Sequence, residues 1–311
     1  MQARSDPRYP NGTSLADVRE SVIRKYFSIV PRRGTAVMGE DWDTLLVLDA
    51  CRYDLFAEVH GFSRPLESRT SRGSCTAEFF EENFAGTTHH DTVYVTANPV
   101  PRVDEWCSVD LDAVFHAVVD VWEDHWDGEV NTVRPTPVAD AIRDAHAEYP
   151  NKRVIGHFIQ PHQPFIGETG LGITESGMTA YDKLSGAEPA PGKKVWARLR
   201  DGELSAERVW RAYRENLELV LPFVRDLCAE LTGKTVVTSD HGNLLGEFAW
   251  PVPLRGYGHP EGVYTGKLVT VPWLETDFEE RREVTSDPPR GTGSAAGEEE
   301  PLERLAHLGY R

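Results

Sequence analysis

The chain has 311 residues, 40% of them hydrophobic, and a formal net charge of -17. That length suits one large α/β domain with a sizeable core. A charge this acidic disfavours nucleic acid and anionic lipid as partners.

Only seven of the 33 basic residues are lysine. Acidic, lysine-poor composition is what a salt-rich cytoplasm favours, because carboxylates hold water and salt screens their repulsion; a GC-rich genome is the alternative source. The start, "MQARSDPRYPNG", has no apolar run of the signal-peptide kind, and no stretch of about 18 apolar residues is present, so neither export nor a membrane span is expected. Cys51, Cys75, Cys107 and Cys228 form no CxxC pair, which argues against a zinc knuckle or a disulfide framework and fits reduced thiols in a cytoplasm.

Ser14 to Asp17 reads as a capping box opening a helix with Leu15, Val18, Val22 and Tyr26 on one side, ending before Pro31. "DTLLVLDACRYD" reads as a buried strand, Thr44 to Leu48, running into Asp49. A loop rich in Ser and Arg follows, then the helical pattern "TAEFFEENF". "DTVYVTANP" is a second strand. "DLDAVFHAVVDVWEDHW" reads as a helix with Val114, Val118, Val121 and Trp122 on one side. Thr136-Pro137 starts another helix. "RVIGHFIQPHQPF" is a strand entering a Pro-rich loop. Residues 167–204 carry many Gly and Pro and read as a surface insertion. "SAERVWRAYRENLELVLPFVRDLCAEL" is a long helix with an expected kink at Pro222. "GKTVVTSD" and "GKLVTVPWLE" are further strands. Residues 277–300 read as a disordered linker and 301–311 as a short terminal helix, so residues 1–276 form the single predicted domain.

Strands alternating with helices predict a three-layer, doubly wound, mostly parallel sheet. Ligands in such folds collect beyond the carboxyl ends of the strands. Asp49, His157, Gln160, His162, Asp240 and His241 all fall at or near such ends, and His259 follows in "GYGHPEG". Carboxylates mixed with imidazoles suit Zn, Mn or a similar divalent ion. Taken one at a time, each has a structural reading: Asp49 as a turn residue, His157 as a core histidine, His162 as rigid loop packing between prolines, His259 as a loop residue. The joint pattern is what points to a metal.

"TLLVLDACRYD", "HFIQPHQPF", "VVTSDHGNLLGE" and "GYGHPEG…VPWLE" resemble, in that order, motifs of the alkaline phosphatase superfamily in its sulfatase-like branch of haloarchaeal type. The resemblance runs from Thr44 to Glu275. It implies that Asp49, Asp240 and His241 hold one divalent metal, and that His162 and His259 hold a second with a ligand from the preceding strand, where this chain has His157 rather than Asp. One or two ions of Zn, Mn, Mg or Ca are the implied cofactors. It implies a nucleophile in "SRGSCTAEFF" at a helix N-terminus. Cys75 lacks the following Pro and Arg that formylglycine formation needs, so phosphate esters are favoured over sulfate. Ser74, one helical turn before Glu78, is the first choice and Thr76 the second; either one alone also reads as a helix cap. Arg69, Arg72 and Gln160 are the candidate substrate contacts. The expected substrate is a small-molecule, glycan or lipid-head-group ester; the alternative is a catalytically silent relative that binds such a head group. Trp122 and Trp126 are either stacking residues for a sugar or base, or helix packing.

Overall fold

The computed structural model describes residues 15–30, 33–173, 177–188 and 193–290. Seven strands form the central sheet: β1 (Thr44–Leu48), β2 (Glu67–Thr70), β3 (His89–Thr96), β4 (Phe115–Asp120), β5 (Arg153–Phe158), β6 (Thr235–Thr238) and β7 (Thr270–Glu275). Their order across the sheet is β2-β7-β6-β1-β5-β3-β4. The five strands from β6 to β4 run parallel. β7 is antiparallel to β6, and β2 is antiparallel to β7.

Parallel strands buried on both faces read as unbroken apolar runs, as "TLLVL" does. Alternate side chains then feed two cores. Leu46, Leu48, Val93, Val95, Val154 and Val237 face α2 (Tyr53–Val59), α4 (Pro135–Glu148) and α5 (Ala206–Glu230). Leu45, Val47, Tyr94, Ile155 and Val236 face α3 (Thr76–Phe84), with Phe79, Phe80, Phe84 and Trp42. The three-layer, mostly parallel α/β expectation is met. Gly156 lets α4 lie close on β5, since a Cβ there would sit 2.3 Å from Ile142 Cδ1. A third core joins Ile23 and Phe27 of α1 (Leu15–Phe27) to Leu244, Val252, Val263 and Leu268.

Three local expectations change. Residues 111–125 are not one helix: single helical turns, Leu111–Val114 and Val121–His125, flank β4. Phe115, Val118 and Val119 favour a pleated surface, and pairing with β3 satisfies backbone groups that would otherwise be bare at the sheet edge. The Ser/Arg-rich loop contains β2, an edge strand ordered by its pairing with β7. "GKLVTVPWLE" begins with a helical turn, Gly266–Val269, and only then becomes β7. α5 continues through Pro222 as one 25-residue helix.

Residues 167–204 carry three short helices, Glu168–Leu171, Thr179–Ser185 and Val195–Arg200. Trp126 stacks flat on Tyr181 of this segment, with centroids 3.7 Å apart, and Trp122 donates its indole N–H to Asp120 at 3.0 Å. Residues 277–290 hold no helix or strand and are tied to the domain by Arg281 to Asp43 at 2.6 Å and by Asp287 to Lys152 at 2.5 Å. Ser14 of the expected capping box, residues 291–300 and the expected helix 301–311 lie outside the described residues. Among the described residues, no helix is long and apolar enough to cross a membrane.

Candidate metal centre

Register builds the site. Val47 of β1 is level with His157 of β5 and with Thr238 of β6. The next residues, Asp49 beyond β1 and Ser239-Asp240 beyond β6, therefore emerge side by side. Ala50 then takes the left-handed conformation, φ 59°, where a side chain costs about 1–2 kcal/mol. Tertiary bonds hold it there. Its N–H donates to Asp240 Oδ1 at 2.8 Å, and its carbonyl accepts from the Tyr213 hydroxyl. Cys51 N–H donates to Ser239 Oγ at 2.8 Å.

The β6 loop is equally determined. His241 N–H donates to Asp240 Oδ1 at 2.8 Å, and Ser239 Oγ donates to the His241 carbonyl at 2.7 Å. Gly242 N–H donates to the Leu268 carbonyl at 2.7 Å, and a Cβ on Gly242 would meet the Lys267 carbonyl at 2.3 Å. Glycine stands there because another backbone passes, and the chain must turn Asp240 and His241 inward beneath it.

The result is a fully buried triad. Asp49, Asp240 and His241 each offer one donor atom within 4.8 Å of the others; among the described residues no other group of three or more His, Cys, Asp or Glu does so. His241 Nδ1 lies 2.8 Å from the Gly242 carbonyl, which can only accept, so the proton is on Nδ1 and Nε2 carries a lone pair. That Nε2 lies 3.4 Å from Asp240 Oδ2 and 3.6 Å from Asp49 Oδ1. Asp49 Oδ2 accepts from Asn98 Nδ2, whereas Asp49 Oδ1 is buried without a hydrogen-bond partner. Burial, then the Asp240 charge, pushes the Asp49 carboxyl well above its ordinary value. Burial also pushes Asp240 upward, but His241, His157, the Ala50 amide and the Thr76 hydroxyl outweigh it and hold that carboxyl low. Convergent lone pairs around an unpartnered buried carboxylate oxygen fit a divalent cation, and two carboxylates with an imidazole are a suitable donor set.

The other predicted residues are distributed around this triad. His157 is buried beside it, Nδ1 2.9 Å from the Tyr94 hydroxyl and Nε2 unpartnered, 3.9 Å from Asp240 Oδ2. Burial keeps it neutral, with its pKa lowered to about 4. His259 and then His162 follow from His241, their rings tilted by 40° and 57° with centroid separations of 4.8 Å and 4.9 Å. Their Nδ1 atoms contact the Asn243 side-chain oxygen, at 2.8 Å, and the Gln163 carbonyl, so each is also left with Nε2 as its lone-pair atom. Burial holds both neutral: His162 falls to about 4, and His259, with His241, His162 and Lys194 nearby, falls well below the ordinary histidine value.

The two hydroxyls diverge. Thr76, the first residue of α3, donates to Asp240 Oδ2 at 2.9 Å and lies 3.3 Å from His241 Nε2. Ser74 Oγ instead donates to Glu78 Oε2 at 2.7 Å and accepts from Val263 N–H at 3.3 Å. Arg72 bonds the Glu82 carbonyl at 2.7 Å. Arg69 pairs with Glu67 at 2.7 Å and covers the Trp273 ring. Gln160 gives its amide N–H to the Val133 carbonyl at 2.9 Å. Asn98, Asn243 and Tyr94 were not singled out from sequence. Asn98 and Asn243 follow strand ends within the quoted motifs, and that position was the available signal.

A scan against protein-family models and a search of curated proteins each found no match. Solved structures do resemble the chain. The integral membrane protein lipooligosaccharide phosphoethanolamine transferase A of Neisseria meningitidis matches at 13% identity and TM-score 0.47, covering 85% of this chain and 55% of its own. The C-terminal periplasmic domain of EcEptC from Escherichia coli, in complex with Zn, matches at 13% identity and TM-score 0.46, over 80% and 76% of the two chains. A protein in the alkaline phosphatase superfamily from Vibrio parahaemolyticus matches at 10% identity and TM-score 0.43, over 85% and 69%. This chain thus spans about half the length of the first of these. At such identities and TM-scores, the likeness establishes no activity for this chain.

Proposed function

We propose that the chain is a metal-dependent hydrolase or transferase of phosphate esters, with Thr76 as the covalent nucleophile and membership of the alkaline phosphatase superfamily. The observation that carries this reading is the Thr76 hydroxyl, 2.9 Å from Asp240 Oδ2 and 3.3 Å from His241 Nε2 at the mouth of the buried triad. The order of preference between Ser74 and Thr76 is therefore reversed.

Asp49, Asp240 and His241 would hold one divalent ion, Zn or Mn before Mg or Ca given the imidazole. When bound, it supplies Lewis-acid activation of the hydroxyl and charge neutralisation at phosphorus. Thr76 Oγ1 passes its proton to Asp240 Oδ2 as it forms the new bond to phosphorus. The ester alcohol departs with its bonding pair and, in the end, with that proton. Water or a second alcohol then takes the phosphoryl group from Thr76 and restores the hydroxyl. The first acceptor makes a hydrolase, the second a transferase. Thr76 stands at the N-terminus of α3, whose dipole favours an incoming anion. His259, beside His241, and His162, beside His259, both neutral, are the proposed ligands of a second ion. Cys75 is the N-cap of α3, with its thiol pushed well up by burial and then Glu78, which suits a packed thiol rather than a nucleophile.

Thr76→Ala should cut turnover of phosphate esters by about three powers of ten or more, each tenfold being 1.36 kcal/mol of barrier. Intact-mass measurement after acid quench should show a phosphoryl adduct on the parent and none on Thr76→Ala. Ser74→Ala should keep the adduct and lose about 1–3 kcal/mol of stability, because Glu78 and Val263 lose a buried partner. An adduct that survives Thr76→Ala and vanishes in Ser74→Ala would refute the assignment. A metal-loaded parent that cleaves no ester would favour the silent, head-group-binding alternative.

A further inference from the structure

The chemistry proposed for Thr76 depends on where its hydroxyl sits, and the chain around it is tied to two loops of the site. On one side, Ser71 Oγ donates to the Asp240 carbonyl. On the other, Ser74 Oγ accepts from Val263 N–H at 3.3 Å and lies 3.1 Å from the carbonyl of Pro260, the residue after His259. Between these anchors the segment folds back tightly: a Cβ on Gly73 would lie 2.3 Å from the Phe79 amide nitrogen. The hub of the second tie is Glu78, buried in the first turn of α3. An acid at this position of a helix ordinarily reaches back to the N-cap amide. Glu78 reaches one residue further back, and also across to another loop. Its Oε2 accepts from the Ser74 N–H at 2.9 Å and from the Ser74 hydroxyl at 2.7 Å. Its Oε1 accepts from the Gly262 N–H at 3.1 Å and from the Tyr264 hydroxyl at 2.7 Å. One oxygen thus serves the start of its own helix and the other a loop 184 positions away in sequence.

We infer that Glu78 is a positioning residue: it binds the start of α3 to the 260–264 loop and so holds the Thr76 hydroxyl against Asp240 and His241. The inference rests on the reading of Thr76 as the nucleophile. Glu78 takes no part in bond making; it acts through Ser74, Gly262 and Tyr264. Both of its oxygens are needed as acceptors, so an amide in its place would turn N–H groups towards donors on one side and break that half of the tie. A nucleophile misplaced by about 1 Å can cost about a hundredfold in rate.

The test uses the full chain loaded with Mn and p-nitrophenyl phosphate as the ester, at a temperature where circular dichroism shows every variant folded. Glu78→Gln should lower kcat by about tenfold to a hundredfold, with KM within about threefold of the parent and the Mn content unchanged in elemental analysis. Tyr264→Phe keeps the ring against Phe27 and removes one donor, so it should lower kcat by about threefold. Combined with Glu78→Gln it should add nothing further, because Tyr264 reaches Thr76 only through Glu78. A kcat of Glu78→Gln within about threefold of the parent would overturn the inference. So would loss of its Mn, which would route the effect through the metal, or a double variant in which the two losses multiply. If the parent cleaves no ester, the catalytic reading of Thr76 fails and hydrogen exchange decides the tie. Exchange in residues 71–80 and 259–266 should then quicken together in Glu78→Gln while residues 235–243 stay as in the parent. Unchanged exchange in both segments would overturn it.

Discussion

Asp240 accepts two backbone N–H groups and the Thr76 hydroxyl, while Asp49 has Asn98 alone. The two carboxylates therefore stand differently when no cation is present. Asp240 is supported as an anion; Asp49 is forced against it. Asp49→Asn keeps the acceptor for Asn98 and removes one of two like charges. In a chelator, this variant should melt at or above the temperature of the parent, because a buried charge without a partner is costly. Elemental analysis after metal loading should show that it has lost most of its ion. A clear drop in melting temperature under chelation would mean that Asp49 stabilises the empty fold. Gly242→Ala tests the loop from the other side. Its new methyl would meet the Lys267 carbonyl, which cannot swing away, so about 1–3 kcal/mol of stability should be lost in a denaturant titration. A neutral result would show that the β6 loop shifts freely.

Elements explain what was legible in advance. The central strands announced themselves as short apolar runs ending in Asp49, His157 and Asp240, since both faces of a parallel sheet are buried and its ligands gather at one end. β2 was hidden because an exposed edge strand carries no apolar pattern; only its pairing with β7 orders "ESRT". β4 was hidden for the opposite reason. Val114, Val118 and Trp122 share a helical spacing, but partnership with β3 outweighed it. Ser74 and Thr76 look alike in sequence, each a hydroxyl at a helix start. What separates them is the approach of the Asp240 loop to Thr76, from 164 positions away. Within α5, Pro222 leaves the Glu218 carbonyl without its helical partner, yet the ring is exposed and fills no core. Pro222→Ala should therefore raise stability, by up to about 3 kcal/mol, in chemical denaturation. A loss instead would show that the ring packs against something the helix needs.

On the scale of the whole molecule, the charge of -17 works against compaction in dilute buffer. Many acidic side chains are matched locally, as Asp41 is by Arg281, but exposed pairs contribute only about 0–1 kcal/mol each. The melting temperature should rise from dilute buffer into molar KCl, as the Debye length shrinks from about 30 Å to about 3 Å. A flat or falling curve would assign the composition to genome bias.

The same sheet order governs the chain as it is being made. β1 lies between β5 and β6, and the Ala50 amide finds its Asp240 acceptor 190 residues later. Until the ribosome has released residue 238, one edge of "TLLVL" is an open apolar ladder that any other strand could join. The candidate metal site is thus among the last features to exist, and any ion bound there would report that the central sheet has closed. Nascent chains stalled before β6 should be the form most in need of a chaperone.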